Sequence, residues 1–307
     1  MKTDEEFKAF CENVLLKYIN ELEKGRKQTK KRLAVFYPFL TLICIISIFA
    51  IINMFQHYPP RIAARMSGYL IGADIILAFV AQDIKRRYRL SFKKNVVQGI
   101  LEFYDNKLAY SPEKGIMYEA YAISNLFSKA AGFKTRDYME GKIGKAFVQL
   151  SVLDLSKGMT GGENSFNGLF MITGFSNPPK GIVLVYYGNH SPLYVDLPFK
   201  DTMKLEPMKY GEDSFKEKFT VFASSPDEIP FVLTPSLMNR MVQLQKEVND
   251  KICFSFNRSR MFTAIPGKSN MFEPSINTEI KEEDLLAWSK CLRFTLNVIE
   301  EFQMNKT

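Results

Sequence analysis

Histidine is almost missing from this chain: 307 residues contain only His57 and His190. Cysteine is scarce too, with Cys11, Cys44, Cys253 and Cys291 scattered and no CxxC pair. That leaves too few soft ligands for a metal site, and the cysteines read as small buried apolar residues in a reducing compartment. His190 stands in the turn Gly188–Pro192 with only Asp196 close in sequence, and reads as polar surface. The glycines of Gly158–Gly162 lack the GxxxxGK[ST] spacing of a phosphate loop. No GxSxG elbow occurs, and the Ser-x-x-Lys steps at Ser91–Lys94 and Ser111–Lys114 lack the partner motifs of serine-acylating enzymes. Carboxylate-only catalysis requires no fixed spacing, and no pair of acids stands out. No catalytic, cofactor or metal residue is therefore assigned, and a non-enzymatic role is favoured.

Charge is missing altogether from Leu33 to Phe55. At 1.5 Å rise per residue, roughly 23 residues cover about 34 Å, enough for a hydrocarbon core of about 30 Å. A second apolar segment, Ile62–Ala81, follows the short turn Gln56–Arg61 and carries Arg65 and Asp74. Six basic residues precede the first segment (Lys24, Arg26, Lys27, Lys30, Lys31, Arg32), and six follow the second (Lys85, Arg86, Arg87, Arg89, Lys93, Lys94). The positive-inside rule then predicts a two-span hairpin over 33–84, with both ends in the cytoplasm and the turn outside.

Two features of the second span call for a reading. Ala64, Gly68 and Gly72 recur every fourth residue, as in close-packed membrane helices. They are expected to pack the hairpin's own helices, with a homo-oligomer as the other use. Asp74 is costly at mid-membrane, about 2.5–3.5 kcal/mol on insertion scales. Antiparallel helices place it near the depth of Thr41 and Cys44. It reads either as a protonated carboxyl bonded to Thr41 or a backbone carbonyl, or as an ion or proton site that would support transport in an oligomer.

The net charge of +8 is local: the two flanking clusters hold twelve cations and no acid, which leaves the remainder of the chain at −4. The basicity therefore points to anionic lipid headgroups beside the spans and not to nucleic acid, for which no module is visible. The start MKTDEEFKAF is acidic, unlike a cleavable signal peptide.

In chain order, Thr3–Lys24 predicts an amphipathic helix with a Thr3/Glu6 capping box and a stripe of Phe7, Cys11, Val14, Tyr18 and Leu22, broken at Gly25 where the helix bends into the membrane. Residues 1–32 form this arm and 85–307 a cytoplasmic α+β domain. In that domain a helix over Val96–Tyr104 leads into a connector, Asn106–Gly115, and a short helix over Tyr118–Phe127. Period-two patterning then predicts strands at Tyr138–Gly144, Phe147–Leu155, Gly168–Phe175, Ile182–Tyr187 and Phe219–Ala223, with loops at Gly158–Gly168 and Asn177–Gly181. Thr234 caps a helix over Pro235–Val248. A hairpin joins Lys251–Phe256 to Arg260–Ile265, and a closing helix, Lys281–Met304, buries Leu285, Trp288, Leu292, Leu296, Ile299 and Phe302. Hairpin-linked strands with single helices predict a mainly antiparallel sheet.

The phrases Asp137–Gly144 (DYMEGKIG), Phe166–Phe170 (FNGLF), Leu233–Ser236 (LTPS) and Phe272–Ser275 (FEPS), in this order behind two spans, resemble the bacterial membrane-protein family catalogued as domain of unknown function 3137. The likeness runs from the hairpin to about Ile276. It implies a bacterial inner-membrane protein with a cytosolic domain and an envelope-related partner, and brings no catalytic residues. In these phrases Gly141 and Gly144 read as close-approach positions in a strand, and Phe272 and Pro274 as seals of the core edge. Gly141, Lys142, Gly144 and Lys145 form a candidate binding surface. The leading expectation is a membrane-tethered scaffold with a protein partner, and the alternative a sensor or enzyme taking a small molecule or lipid headgroup.

Overall fold

The computed structural model describes residues 3–104, 107–127, 132–143, 146–156, 166–174, 178–188, 205–248, 250–267 and 271–303. The fold is α+β: long helices come first, and an antiparallel sheet, nine-stranded among the described residues, follows with further helices. The chain forms two compact units, Met1–Ile100 with Glu273–Leu286, and Leu101–Phe272 with Ala287–Thr307.

The first unit opens with the expected capping box. Glu6 N–H donates to Thr3 Oγ1 at 3.2 Å, and Thr3 N–H to Glu6 Oε2 at 2.7 Å. Helix α1 (Asp4–Phe10) continues through a π-turn (Cys11–Leu15) into α2 (Leu16–His57). The π-turn corrects the predicted stripe. One extra residue in a turn rotates all that follows by about 100°. The buried side chains are accordingly Phe7, Cys11, Leu15, Ile19 and Leu22, while Val14 and Tyr18 face outward. The expected break at Gly25 is also absent, since α2 runs through it.

The turn is only Tyr58 and Pro59, shorter than the expected Gln56–Arg61. Each of these two residues precedes a proline, which drives it out of the helical region, to φ/ψ of −120°/152° and −52°/140°. Pro60 then opens α3 (Pro60–Phe92), where a missing N–H costs nothing. A second π-turn, Lys93–Val97, leads to α4 (Gln98–Tyr104). Both helices, Glu5–His57 and Pro60–Tyr104, are long and apolar enough to cross a membrane.

The second unit is built on strands β1 (Ala109–Ser111), β2 (Gly132–Ile143), β3 (Ala146–Ser156), β4 (Phe166–Gly174), β5 (Ile182–Tyr187), β6 (Glu206–Met208), β7 (Phe219–Ala223), β8 (Cys253–Asn257) and β9 (Arg260–Pro266). Their order is β1-β2-β3-β4-β9-β8-β5-β7-β6. The strands of the meander β2–β4 are consecutive, and the late hairpin β8–β9 inserts between β4 and β5. Strands β1 and β6, three residues each, were not expected, and β2 begins six residues before its predicted start. One face packs Leu153, Phe170, Ile172, Leu184, Phe222 and Phe262 under Ile116, Tyr121 and Leu126, the segment around α5 (Tyr118–Ala122).

After β5 come the short helices α6 (Asp213–Lys216) and α7 (Ile229–Val232). Helix α8 (Pro235–Val248) starts where predicted, with Leu237 N–H on Thr234 Oγ1 at 3.3 Å. Helix α9 (Glu282–Gln303) buries Leu285, Leu292 and Leu296 and half-buries Trp288. The side chains of Ile299 and Phe302, and Met304, His190 and most of the Gly158–Gly168 loop, lie outside the described residues.

Candidate functional site: membrane hairpin, strand phrase and a buried clasp

In the hairpin, α2 turns Leu33, Phe36, Leu40, Ile43, Cys44, Ser47, Ala50, Ile51 and Met54 inward, a three-four spacing. Helix α3 answers with Ala63, Ser67, Leu70, Asp74, Leu77, Ala78 and Ala81. Asp74 therefore lies on the seam, where Ser47 Oγ donates to its Oδ1 at 3.3 Å. Thr41 is not its partner: it sits on the outer face, and its hydroxyl donates to the carbonyls of Tyr37 (3.0 Å) and Pro38 (2.7 Å). The depth count predicts the right region of α2 but not the face, which the seam spacing decides. The same spacing corrects the small-residue stripe. Ala63 and Ser67 occupy the interface, so Ala64 and Gly68, one residue on, point about 100° away. A Cβ on Gly68 or Gly72 would meet nothing within 4 Å.

The phrase Asp137–Gly144 fastens the chain's own connector. Between Arg136 and Met139 strand β2 bulges against β3, and Asp137 takes a left-handed φ of 58°, which an aspartate tolerates better than most residues. Its carboxylate is fully buried and accepts from Tyr110 Oη, with Arg136 Nε 3.5 Å away. Its N–H donates to Pro112 O at 3.2 Å, and Tyr138 N–H to Lys114 O at 3.2 Å. Burial pushes the Tyr138 phenol up, and the bond it donates to Glu140 at 2.8 Å adds to this. A Cβ on Gly141 would lie 2.6 Å from the Lys107 carbonyl, so this glycine faces its own chain. Lys142 is exposed beside the exposed Phe147, its register partner. Gly144 and Lys145 lie outside the described residues.

The largest departure from the sequence reading concerns the basic flanks. Ten of the twelve cations are exposed, but Arg26 and Lys93 are 4% and 2% exposed. Lys93 Nζ lies 2.6 Å from Glu273 Oε1, and Arg89 approaches the same carboxylate at 3.9 Å. Arg26 Nε donates to both oxygens of Glu23 (2.8 and 3.0 Å), while Nη1 donates to Ile276 O at 3.0 Å. Glu23 also accepts from Ile280 N–H at 3.2 Å. Beside this group Tyr88 has a buried hydroxyl with no partner among the described residues, and burial, then the Glu23 charge, push its phenol up to about 12. These two cations are structural ion-pair members and not headgroup ligands. The clue was present in spacing: Arg26 continues the buried series 15, 19, 22 from the π-turn into α2, and Glu273 belongs to the FEPS phrase. Among the described residues no group of three or more His, Cys, Asp or Glu is placed to hold a metal ion.

The family model described as "Protein of unknown function (DUF3137)" matches residues 164–304. The match begins just before β4 and takes in the FNGLF, LTPS and FEPS phrases and α9, whereas the hairpin and the Asp137–Gly144 phrase precede it. A solved structure, the crystal structure of the mycobacterial trehalose monomycolate transport factor A, TtfA, aligns at a TM-score of 0.36 and 7% identity over 67% of this chain and 93% of that one. No curated protein matches.

Proposed function

We propose that this chain is a membrane-anchored binding module with no reaction of its own. Its two apolar stretches span the bacterial inner membrane, both ends lie in the cytoplasm, and the α+β domain holds a protein partner in an envelope-associated assembly. The observation that supports it most is the two-residue turn at Tyr58-Pro59, which folds the apolar stretches into one antiparallel pair. Both charged flanks then emerge on one side, where the ten exposed cations suit anionic headgroups. A homo-oligomer through the face of the exposed Gly68 is part of the same reading.

The test is mass spectrometry of what co-purifies with the gently solubilised full-length chain, against the same membranes without the tagged protein. A specific protein in stoichiometric amount is expected. A retained small molecule or lipid with no protein would overturn the scaffold reading in favour of a sensor or enzyme. In a cysteine-free background, a cysteine at Gln56 should label from outside and one at Ser111 should not; the reverse pattern would refute the topology.

A further inference from the structure

The segment Glu273–Leu286 belongs to the compact unit of the two long helices, yet it is attached in an unusual way. From Glu273 to Asp284 none of its side chains is fully buried, and only Leu285 at its far end is. The bonds that fasten it are polar: Glu273 to Lys93, the Ile276 carbonyl to Arg26, the Ile280 N–H to Glu23, and Glu279 to Arg26 at 3.6 Å. The chain enters the segment through Phe272, a bulky residue held at φ 59°, in the left-handed region. Such a conformation is strained and persists only while its surroundings enforce it.

We propose that Glu273–Leu286 is a detachable strap, a conformational latch whose bolt is the Lys93–Glu273 pair and whose second catch is Arg26. The energetics favour a device over a fixed loop. Closing the strap takes two cations out of water, and that desolvation offsets most of the attraction between the charges. Opening rehydrates Lys93, Arg26 and Glu273 and lets Phe272 relax, and of the strap's own side chains only Leu285 leaves a fully buried place. The two terms nearly cancel, so the strap opens at a free energy well below that of the sheet, whose strands β4 and β9 are buried on both sides. Lys93 is also the first residue of the second π-turn, a feature that recurs at functional sites in helices. The open state presents twelve exposed cations in the flanks instead of ten.

Hydrogen exchange on the full-length protein in lipid nanodiscs tests this. Amides of the strap, Ile280 among them, should exchange together and at least tenfold faster than those of β4 and β9. Glu273→Gln, which keeps size and removes the charge, should speed the strap a further tenfold and leave β4 and β9 unchanged. Strap exchange unaltered by Glu273→Gln, or a speed-up shared equally with the strands, would overturn the proposal. If that variant does not accumulate, the wild-type chain decides. Strap exchange independent of low urea marks a local opening, and exchange that rises with urea in parallel with the strands marks global unfolding and removes the latch.

Discussion

Lys93 and Glu273 are 180 residues apart in sequence and 2.6 Å apart in space, and the lysine is all but closed to solvent. The position of Lys93 in a basic cluster beside a membrane span suggests a headgroup contact. The fold uses it instead to hold the FEPS phrase against the helix. A buried cation of this kind is costly to leave alone, and that asymmetry makes the pair testable.

Glu273→Ala takes this partner from Lys93; the cost of about 3–5 kcal/mol for a lysine that stays buried is the upper bound, because opening of the strap rehydrates the charge and caps the cost. Lys93→Met removes the buried charge and keeps the volume, while Glu273, with 21% of its side chain exposed, can turn to water. Its cost is expected to be smaller, on the order of 1–2 kcal/mol. Chemical denaturation of the two single variants and the double variant in one detergent measures both costs and the coupling; equal costs would show that Lys93 is not effectively desolvated.

Four substitutions separate open positions from filled ones. Gly68→Leu places its Cβ where nothing lies within 4 Å and should leave the hairpin's thermal midpoint unchanged, whereas Ala63→Leu on the seam should cost about 1–3 kcal/mol through overpacking. Gly25→Ala, with open space around it in mid-helix, should stabilise by up to about 1 kcal/mol. Gly141→Ala should destabilise, because the Lys107 carbonyl occupies the place of the new methyl group. Gly68→Leu has a second readout in light scattering: loss of a larger species would identify the outer face as an oligomer contact.

Alkaline pH should weaken the first unit. Burial, with Glu282 and then Glu12 adding, pushes the Cys11 thiol up to about 11 from an ordinary value of 9.0. The folded state therefore keeps a proton that the unfolded chain gives up. This contribution is full below about pH 9 and is lost as pH rises toward 11; Tyr88 follows one unit higher. Denaturation midpoints from pH 8 to 11 should fall, and Cys11→Ser should flatten the first part of that fall. A midpoint independent of pH over this range would rule out burial of the thiol.

What could be read along the chain follows local rules. The capping box at Thr3/Glu6 and the Thr234 cap need only neighbouring residues. Strands Ile182–Tyr187 and Phe219–Ala223 appear with their predicted bounds because every residue in them is apolar, β-branched or aromatic. Strand β1 escaped notice because three residues carry no period, and the start of β2 because Gly132–Arg136 mixes charge with small residues. The stripe on the first helix failed for a different reason. A π-turn leaves no mark in composition, and it changes the phase of everything beyond it.

The sequence by itself determined the two apolar helices, the antiparallel α+β class and the absence of known catalytic motifs, because apolar length, period and motif spacing are properties of adjacent residues. Tertiary structure alone decided the interleaved strand order, Ser47 as the partner of Asp74, the outward face of Gly68, and the burial of Arg26 and Lys93. Each of those depends on which residue distant in the chain arrives to fill a face. A lysine in a basic run looks the same in sequence whether it faces water, a phosphate or a glutamate; only the packing around it decides whether its charge is solvated or paired.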